Sequence, residues 1–298
     1  MVTVFTPTYN RADLLLKLYN TLTEQTSFDF EWLIVDDGSQ DKTKELVDNL
    51  IKVSSQFPIR YYSQENHGKH VAINNGVQLA RGEMFFIVDS DDWLPNNAIE
   101  RILSFFEEIR GLDGYAGIAG LKLYGNGELV GSTFNGKVVD CTTLERAKYS
   151  IFGDKAEVFY TDLLKKYPFP VFENENFLSE EIVWNRIARD GYKFRWFNEG
   201  IYFCEYLDNG LSKTSNKELN NFEGYKLVVK ELLTYKEIPL KRKLISLMII
   251  GEISLRKKEK LKAVANDIGV NGIIFAFWAY VGKIIRRIRR KLRKNAES

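Results

Sequence analysis

The segment Gly82–Leu94, read GEMFFIVDSDDWL, constrains the fold more than any other part of the chain. Met84–Val88 is a continuous apolar run of aromatic and β-branched residues, which is typical of a strand buried on both faces of a parallel sheet. Asp89, Asp91 and Asp92 end this run abruptly. Because three neighbouring carboxylates repel one another, a divalent cation with oxygen ligands would stabilise them. The alternative is an acidic turn in which Asp91 or Asp92 caps the next helix.

Strands and helices alternate through the first part of the chain. The other predicted strands in this part are Val2–Phe5, Trp32–Val35 and Ile59–Tyr62. This alternation predicts an α/β fold, with an open, mostly parallel Rossmann-like sheet, helices on both faces, and a C-terminal helical extension. Such sheets bind ligands outside the carboxyl ends of their strands. We therefore expect Thr6–Asn10, Asp36–Ser39 and Asp89–Asp92 to meet in one crevice.

The residues at these predicted strand ends suit a nucleotide. Tyr9 offers an aromatic face on which a base can stack, and Asp37 can accept hydrogen bonds from a base or a ribose. Asp89 and Asp91 would hold a metal that neutralises a diphosphate. The sequence has no GxGxxG after the first strand and no GxxxxGK[ST], which disfavours a Rossmann dehydrogenase and a P-loop NTPase.

Charge and cysteine content narrow the class of protein. Residues 283–298 contain eight Lys/Arg and one Glu, a charge of +7, so the net charge of +2 leaves −5 for residues 1–282. A basic character confined to the tail does not indicate a nucleic-acid binder. Cys141 and Cys204 are too few for a disulfide framework, which favours a reducing compartment. Met1 leads directly into a predicted strand, so we expect no signal peptide.

Four ordered motifs resemble those of the inverting family-2 glycosyltransferases. They are PTYNR at 7–11, VDDGSQDKT at 35–43, ENHGKHVAINNGVQLARGE at 65–83 and VDSDDWL at 88–94. The resemblance covers about the first 95 residues. It implies the A-type glycosyltransferase fold, in which a nucleotide-binding α/β half is joined to an acceptor half. The predicted divisions are residues 1–95 for the nucleotide-sugar half, 96–215 for the acceptor half and 216–298 for a helical C-terminal region.

The resemblance also implies roles for individual residues. Pro7, Tyr9 and Asp37 would bind the nucleobase and the ribose. Asp89 and Asp91 would be the D-x-D pair, with Asp91 the metal ligand and Asp89 shared between ribose and metal. Lys69 lies where a basic residue would approach the diphosphate, and the alternative is a solvated loop lysine. Asp92 is a second-rank candidate.

Glu180 and Glu181 precede a predicted helix, Ile182–Arg189. One explanation is structural, with Ser179 as the cap and the glutamates interacting favourably with the helix dipole. The family that the motifs resemble places its general base in an acidic pair that opens a helix ending in Gly-Tyr. Counting back from Gly191 favours Glu180 as the base, whereas counting the acidic pair literally favours Glu181. The prediction is Glu180, with Glu181 left open.

The remaining middle of the chain reads as short strands. Tyr115–Tyr124 is a predicted strand followed by a turn at Gly125–Gly127, with Leu129–Val130 and Lys137–Val139 as short partners. The later segment Phe203–Ser212 resembles one that closes over the diphosphate or supplies a third metal ligand in some relatives. Its polar residues are Glu205, Asp208, Asn209 and Ser212.

The C-terminal region combines an apolar segment with a basic one. The apolar core from Gly272 to Gly282 has 11 residues, fewer than the roughly 20 that span a bilayer. The sequence RRIRRKLRK follows soon after it. This order predicts an interfacial anchor on anionic lipid, at the inner face of the membrane. The alternative is a helix packed on the core with a solvated basic tail.

Together these features predict a cytoplasmic, metal-dependent inverting glycosyltransferase of surface polysaccharide biosynthesis. Its expected partners are a nucleotide-diphosphate sugar donor (a UDP-sugar), a saccharide or lipid-linked saccharide acceptor and an anionic membrane surface, with Mn²⁺ or Mg²⁺ as cofactor. One alternative is a nucleotidyltransferase that makes the sugar nucleotide, but it would carry a glycine-rich loop where this chain has TPTYN. Another is a non-catalytic nucleotide-sugar-binding module. A glycoside hydrolase would have no use for nucleotide motifs.

Overall fold

The computed structural model describes residues 1–205 and 217–296, with side chains described as far as residue 288. The chain divides into two compact units. The first unit consists of Met1–Phe169 and Val183–Lys213, and the second of Pro170–Ile182 and Thr214–Ser298.

The first unit is built on one eight-stranded sheet. Its strands are β1 (Val2–Thr8), β2 (Phe30–Asp36), β3 (Ile59–Ser63), β4 (Met84–Ile87), β5 (Tyr115–Tyr124), β6 (Val138–Cys141), β7 (Lys155–Tyr160) and β8 (Lys193–Cys204). Their order in the sheet is β3-β2-β1-β4-β7-β5-β8-β6. The pairs among β3, β2, β1 and β4 are parallel, as is β5–β8, whereas β7 is antiparallel to both of its neighbours and β6 to β8. The predicted α/β class with a mostly parallel sheet is confirmed.

Helices alternate with these strands. Those up to the end of the sheet are α1 (Ala12–Thr23), α2 (Thr43–Val53), α3 (Lys69–Leu79), α4 (Ala98–Glu107), α5 (Thr161–Leu164) and α6 (Glu181–Arg189). A short 3-10 helix, Thr143–Tyr149, precedes β7.

Strands β1 and β2 form the centre of the core because every residue in them is buried. Helix α1 places Leu15, Leu18 and Leu22 against the core, at the spacing of one helix face. Helix α3 approaches the sheet closely, since a Cβ added to Gly76 would lie 2.2 Å from the ring of Phe5. This close approach fixes the position of α3, whose first residue lies beside the carboxyl end of β4.

The second half of the sheet differs from its prediction in one pairing. The turn at Gly125–Gly127 forms as expected, with the amide of Gly127 donating to the carbonyl of Tyr124 at 2.8 Å. The predicted pairing of Lys137–Val139 with the strand before that turn is wrong, because β8 lies between β5 and β6 and takes β6 as its antiparallel partner.

The second unit is helical in the part that the structure describes. Besides the start of α6 it contains α7 (Lys217–Asn220), α8 (Phe222–Thr234), α9 (Leu240–Lys257), α10 (Leu261–Asp267) and α11 (Gly272–Ala296). Within the described residues no single helix is long and apolar enough to cross a membrane. Among the described helices, one pair, Leu261–Asp267 and Gly272–Ile288, meets those criteria together, with a bend of 114° between the two helices.

Candidate active site

The carboxyl ends of β1, β2 and β4 meet at one edge of the sheet. The amide of Asp37 donates to the carbonyl of Thr8 at 2.8 Å, and the amide of Val88 donates to the carbonyl of Phe5 at 2.8 Å. The loops beyond the strands are joined as well, because the amide of Asn10 donates to Ser39 Oγ at 2.8 Å. The three polar segments at these strand ends therefore lie side by side.

Pro7 and Tyr9 lie at the end of β1 in different environments. Pro7 is buried within the strand, opposite Val35 of β2. Tyr9 follows the strand and is 46% exposed, so its ring is accessible to a ligand. Of the two, only Tyr9 presents a side chain on which a base can stack.

Asp37 is buried and its carboxylate organises the loop that precedes α3. Its Oδ1 accepts hydrogen bonds from Gln64 Nε2 at 2.8 Å and from the amide of His67 at 2.9 Å. Its Oδ2 accepts one from the amide of Gly68 at 2.8 Å. Gly68 has φ +93°, a conformation that favours glycine. Asp37 thereby holds the first turn of α3 in place, and that turn carries Lys69.

Two cations pair with the carboxylates that follow β4. Lys69 Nζ lies 2.7 Å from Asp89 Oδ1, and Arg11 Nη1 lies 3.7 Å from Asp91 Oδ2. Burial opposes ionisation of Asp89, but the neighbouring Lys69, Lys122 and Arg11 outweigh it and hold the pKa of Asp89 below its ordinary value. Burial and the negative charge of Asp89 raise the pKa of Asp91.

Asp92 has a different partner. Tyr202 Oη donates to Asp92 Oδ2 at 2.6 Å and accepts a hydrogen bond from the amide of Asp89 at 3.0 Å. Burial and the charge of Asp89 raise the pKa of Asp92 to about 7. Helix α4 begins only at Ala98 and has no side-chain cap. The alternative interpretation of Asp91 or Asp92 as a helix cap is therefore wrong.

The donor set after β4 fits a divalent cation that is shared with a ligand. Asp89 and Asp91 supply hard oxygen donors, and their mutual repulsion, which raises the pKa of Asp91, is the kind that a cation relieves. In the part of the chain that the structure describes, no group of three or more His, Cys, Asp and Glu could hold a metal. A Mg²⁺-type ion needs only one or two carboxylates when substrate phosphates complete its coordination.

The predicted general bases lie in the second unit. Glu181 is the first residue of α6, and its Oε1 and Oε2 accept hydrogen bonds from Arg242 Nη2 at 2.7 and 2.6 Å. Glu180 directly precedes the helix. In the first unit, Glu205 Oε2 lies 3.6 Å from Lys17 Nζ. Asp208, Asn209 and Ser212 lie outside the described residues.

Arg11, Lys122 and Tyr202 surround the carboxylates but received no role from the sequence. Arg11 is part of the PTYNR motif, so its place beside a strand end could have suggested a contact with a neighbouring acid. Tyr202 follows Asp92 by 110 residues and comes from β8. No local pattern in the sequence indicates that these two residues meet.

Comparison with known proteins shows that the chain is similar to glycosyltransferases. The family model described as Glycosyl transferase family 2 matches residues 3–120. The match covers 118 of the 298 residues, and together with relatives named as glycosyltransferases it supports a family-2 glycosyltransferase. A GalNAc(5)-diNAcBac-PP-undecaprenol beta-1,3-glucosyltransferase of Campylobacter jejuni is 30% identical over 198 residues, which are 63% of this chain and 60% of that protein. Glycosyltransferase GlyA of Streptococcus pneumoniae is 21% identical over 97% of this chain and 45% of its own length. The chain thus spans less than two thirds of either relative.

Solved structures are similar to this protein over most of the chain. S. aureus TarS 1–349 in complex with UDP-GlcNAc has a TM-score of 0.64 and 18% identity, covering 96% of this chain and 91% of the TarS 1–349 chain. Mannosyltransferase PcManGT of Pyrobaculum calidifontis, in complex with GDP-Man and Mn²⁺, has a TM-score of 0.56 and 17% identity, covering 99% and 79%. These similarities confirm the A-type glycosyltransferase fold that the motifs implied.

Proposed function

We propose that this protein is a metal-dependent inverting glycosyltransferase that moves a sugar from a UDP-sugar to a hydroxyl of a saccharide acceptor. The observation that carries the proposal is the pairing of Lys69 with Asp89 and of Arg11 with Asp91 at the carboxyl end of β4. Carboxylates beside cations suit a ligand that brings both a diphosphate and a divalent ion. The match of residues 3–120 to the family-2 glycosyltransferase model supports sugar transfer as the reaction.

The donor would be bound by residues at the three strand ends. Tyr9 would stack on the base, with Pro7 shaping the strand end below it. Asp37 would contribute chiefly by holding the loop before α3, since its carboxylate oxygens already accept three hydrogen bonds from that loop. Lys69 would contact the diphosphate as a cation. Arg11, which the sequence did not single out, would do the same.

Asp89 and Asp91 would hold Mn²⁺ or Mg²⁺, which when bound supplies positive charge against the leaving diphosphate. In the proposed reaction the acceptor oxygen attacks the anomeric carbon while the bond from that carbon to the diphosphate oxygen breaks. The bonding electron pair leaves with the diphosphate, and Glu180 takes the proton of the acceptor hydroxyl. A single displacement of this kind inverts the anomeric configuration.

We assign the base to Glu180 on its spacing from Gly191, and Glu181 forms an ion pair. Both carboxylate oxygens of Glu181 accept hydrogen bonds from Arg242, and this ion pair favours a structural role for Glu181. We therefore expect Glu180→Gln to lower kcat by at least about a hundredfold with little change in donor binding. Glu181→Gln is the matched control and should retain turnover. If Glu181→Gln is the inactive variant instead, the assignment is reversed, and if both variants turn over normally the acidic pair only begins a helix.

The ligands and names of similar proteins support the proposed classes of donor and acceptor. TarS has been solved with UDP and with UDP-GlcNAc, which supports a uridine donor, whereas the GDP-Man complex of PcManGT makes a guanosine donor the competing outcome. The name of the Campylobacter relative describes a saccharide linked through PP to undecaprenol, which supports a lipid-linked acceptor. Assembly of a surface polysaccharide is the process that such an acceptor would serve.

A thermal-shift panel tests the donor and the metal together. UDP-sugars and GDP-sugars are compared with and without Mn²⁺, and we expect the largest shift with a UDP-sugar plus metal. Asp91→Asn should abolish both the metal-dependent shift and transfer, because a neutral amide is a poor ligand for a hard cation. Asp113→Asn, at an exposed loop position, is the control for the same chemical change. Transfer that survives in Asp91→Asn or in excess chelator would contradict the proposal.

A further inference from the structure

Helix α11 is apolar on two opposite sides. Its inner side carries Phe275 and Ala279, which are fully buried in the second unit. The helix packs closely against α9, since a Cβ added to Gly251 would lie 2.6 Å from the Cα of Ala279. A Cβ added to Gly282 would likewise lie 2.4 Å from the carbonyl oxygen of Met248. The inner side is therefore satisfied by the helix's own unit.

The outer side carries large apolar residues that are exposed. With 3.6 residues per turn, members spaced by three or four residues share one face, about half a turn away from the buried side. Ile273 is 82% exposed and Phe277 61%. We call this face the outer stripe; it consists of Ile273, Ile274, Phe277, Tyr280, Ile284 and Ile288. An exposed apolar stripe of this length marks an interaction surface.

Positive charge borders the outer stripe. A groove of about 200 Å³ between α9 and α11 is lined by Leu255, Glu252 and four cations, namely Arg256, Lys283, Arg286 and Arg287. Glu252 forms an ion pair with Arg286 and lies 4.0 Å from Arg256, so one carboxylate faces four cations. The sequence adds further basic residues, for a total of eight Lys/Arg between Lys283 and Lys294.

We propose that this side of α11 docks on an anionic phospholipid surface, with the outer stripe in the membrane interface and a lipid phosphate in the cationic groove. A helix with an apolar face beside basic residues binds such interfaces through both apolar burial and charge attraction. The anionic cytoplasmic leaflet of a cell membrane has this chemistry. The surface is independent of the proposed glycosyl transfer, and its test needs no donor or acceptor.

Charge argues for a lipid rather than a second copy of the chain. Two copies packed stripe to stripe would bring their basic segments together, and the like charges would repel. An anionic surface instead neutralises them. Salt screens the attraction between the basic residues and the anionic lipid, but it does not screen the apolar contribution. Binding should therefore weaken at high salt without vanishing.

Co-sedimentation with vesicles tests the apolar part. The full chain is mixed with phosphatidylcholine vesicles with and without phosphatidylglycerol, and we expect strong binding only with the anionic lipid. The double variant Phe277→Gln/Ile284→Gln should reduce binding about tenfold, since it removes two exposed apolar side chains without adding charge. The matched control is Val53→Gln/Leu112→Gln, which changes two exposed apolar residues elsewhere in the chain and should bind like the wild type.

A second pair of variants tests the charge. Lys283→Gln/Arg287→Gln removes two cations of the groove and should weaken vesicle binding at low salt. The control is Lys258→Gln/Lys262→Gln, which removes two exposed lysines outside the groove and should change vesicle binding much less. Equal vesicle binding by the wild type and the stripe variant would overturn the proposal, as would equal binding to vesicles without phosphatidylglycerol. Self-association in sedimentation velocity that the stripe variant abolishes would instead identify a second copy as the occupant.

Discussion

Replacing Asp37 with asparagine should destabilise the protein and weaken donor binding at the same time. The new amide can keep its oxygen where Oδ1 of Asp37 now accepts from Gln64 and the amide of His67. Its NH₂ group would then replace Oδ2 and face the amide of Gly68, which is also a donor. One charge-assisted hydrogen bond is lost outright, and two become neutral. Two of the three bonds are only partly buried, so we take the lower end of about 1.5–3 kcal/mol for a bond to a charged group and about 1 for a neutral one, and the loss is roughly 2.5 kcal/mol.

Urea unfolding followed by tryptophan fluorescence measures this loss, and hydrogen exchange at His67 and Gly68 locates it. Domains of this kind have a total stability of roughly 5–15 kcal/mol, so the variant should remain folded. Because the loop carries Lys69 into the site, UDP affinity should fall about 10- to 100-fold. The control is Asp48→Asn, whose side chain forms an exposed ion pair with Lys44 and should change neither quantity appreciably.

Two results would refute this reasoning about Asp37. Unchanged stability together with weaker UDP binding would mean that the carboxylate acts by touching the nucleotide directly. Reduced stability together with unchanged UDP affinity would mean that the loop before α3 does not form part of the donor site.

Two further predictions concern the core of the first unit. Gly76→Ala should lower the free energy of unfolding by about 1–3 kcal/mol in urea titrations, because the new Cβ would overlap the ring of Phe5. An unchanged unfolding midpoint would show that α3 shifts freely. Burial, with a contribution from Arg146, lowers the pKa of Lys155 to about 8. Between about pH 8 and 10.5 the unfolded state therefore binds more protons than the folded state. The free energy of unfolding of the wild type, relative to that of Lys155→Met, should rise by up to about 3 kcal/mol across this interval. A difference that does not change with pH would contradict the lowered pKa.

The sequence predicted the parallel half of the sheet well because the signal there is local. Strands buried on both faces read as apolar runs, and β1, β2 and β4 each lie within one or a few residues of the predicted run. The partner of β6 could not be predicted in the same way. A turn signal such as Gly125–Gly127 favours pairing with the preceding strand, whereas the actual neighbour, β8, begins about 50 residues later in the sequence.

In the candidate site too, the sequence predicted the residues at strand ends but not their contacts with residues distant in the sequence. The sequence identified the carboxylates Asp37, Asp89 and Asp91 because they end predicted strands. It did not show what each carboxylate contacts, since the partners of Asp37 lie 27 to 31 residues away and Tyr202 lies 110 residues from Asp92. The role of Asp37 as a ligand contact stays a prediction, and the sequence did not show that its carboxylate also holds the loop before α3.

Charge balance connects the pairs at the end of β4 with the proposed donor. Asp89 and Asp91 carry two negative charges when ionised, and Lys69 and Arg11 carry two positive ones, so the four side chains are close to neutral together. A diphosphate and a divalent cation also sum to zero. If the cation binds the carboxylates and the diphosphate binds the two basic side chains, every charge keeps an opposite partner. Either ligand alone would leave an excess of two charges in a half-buried site. The same residues thus explain both why the site is stable as described and why the proposed donor and metal would favour each other's binding.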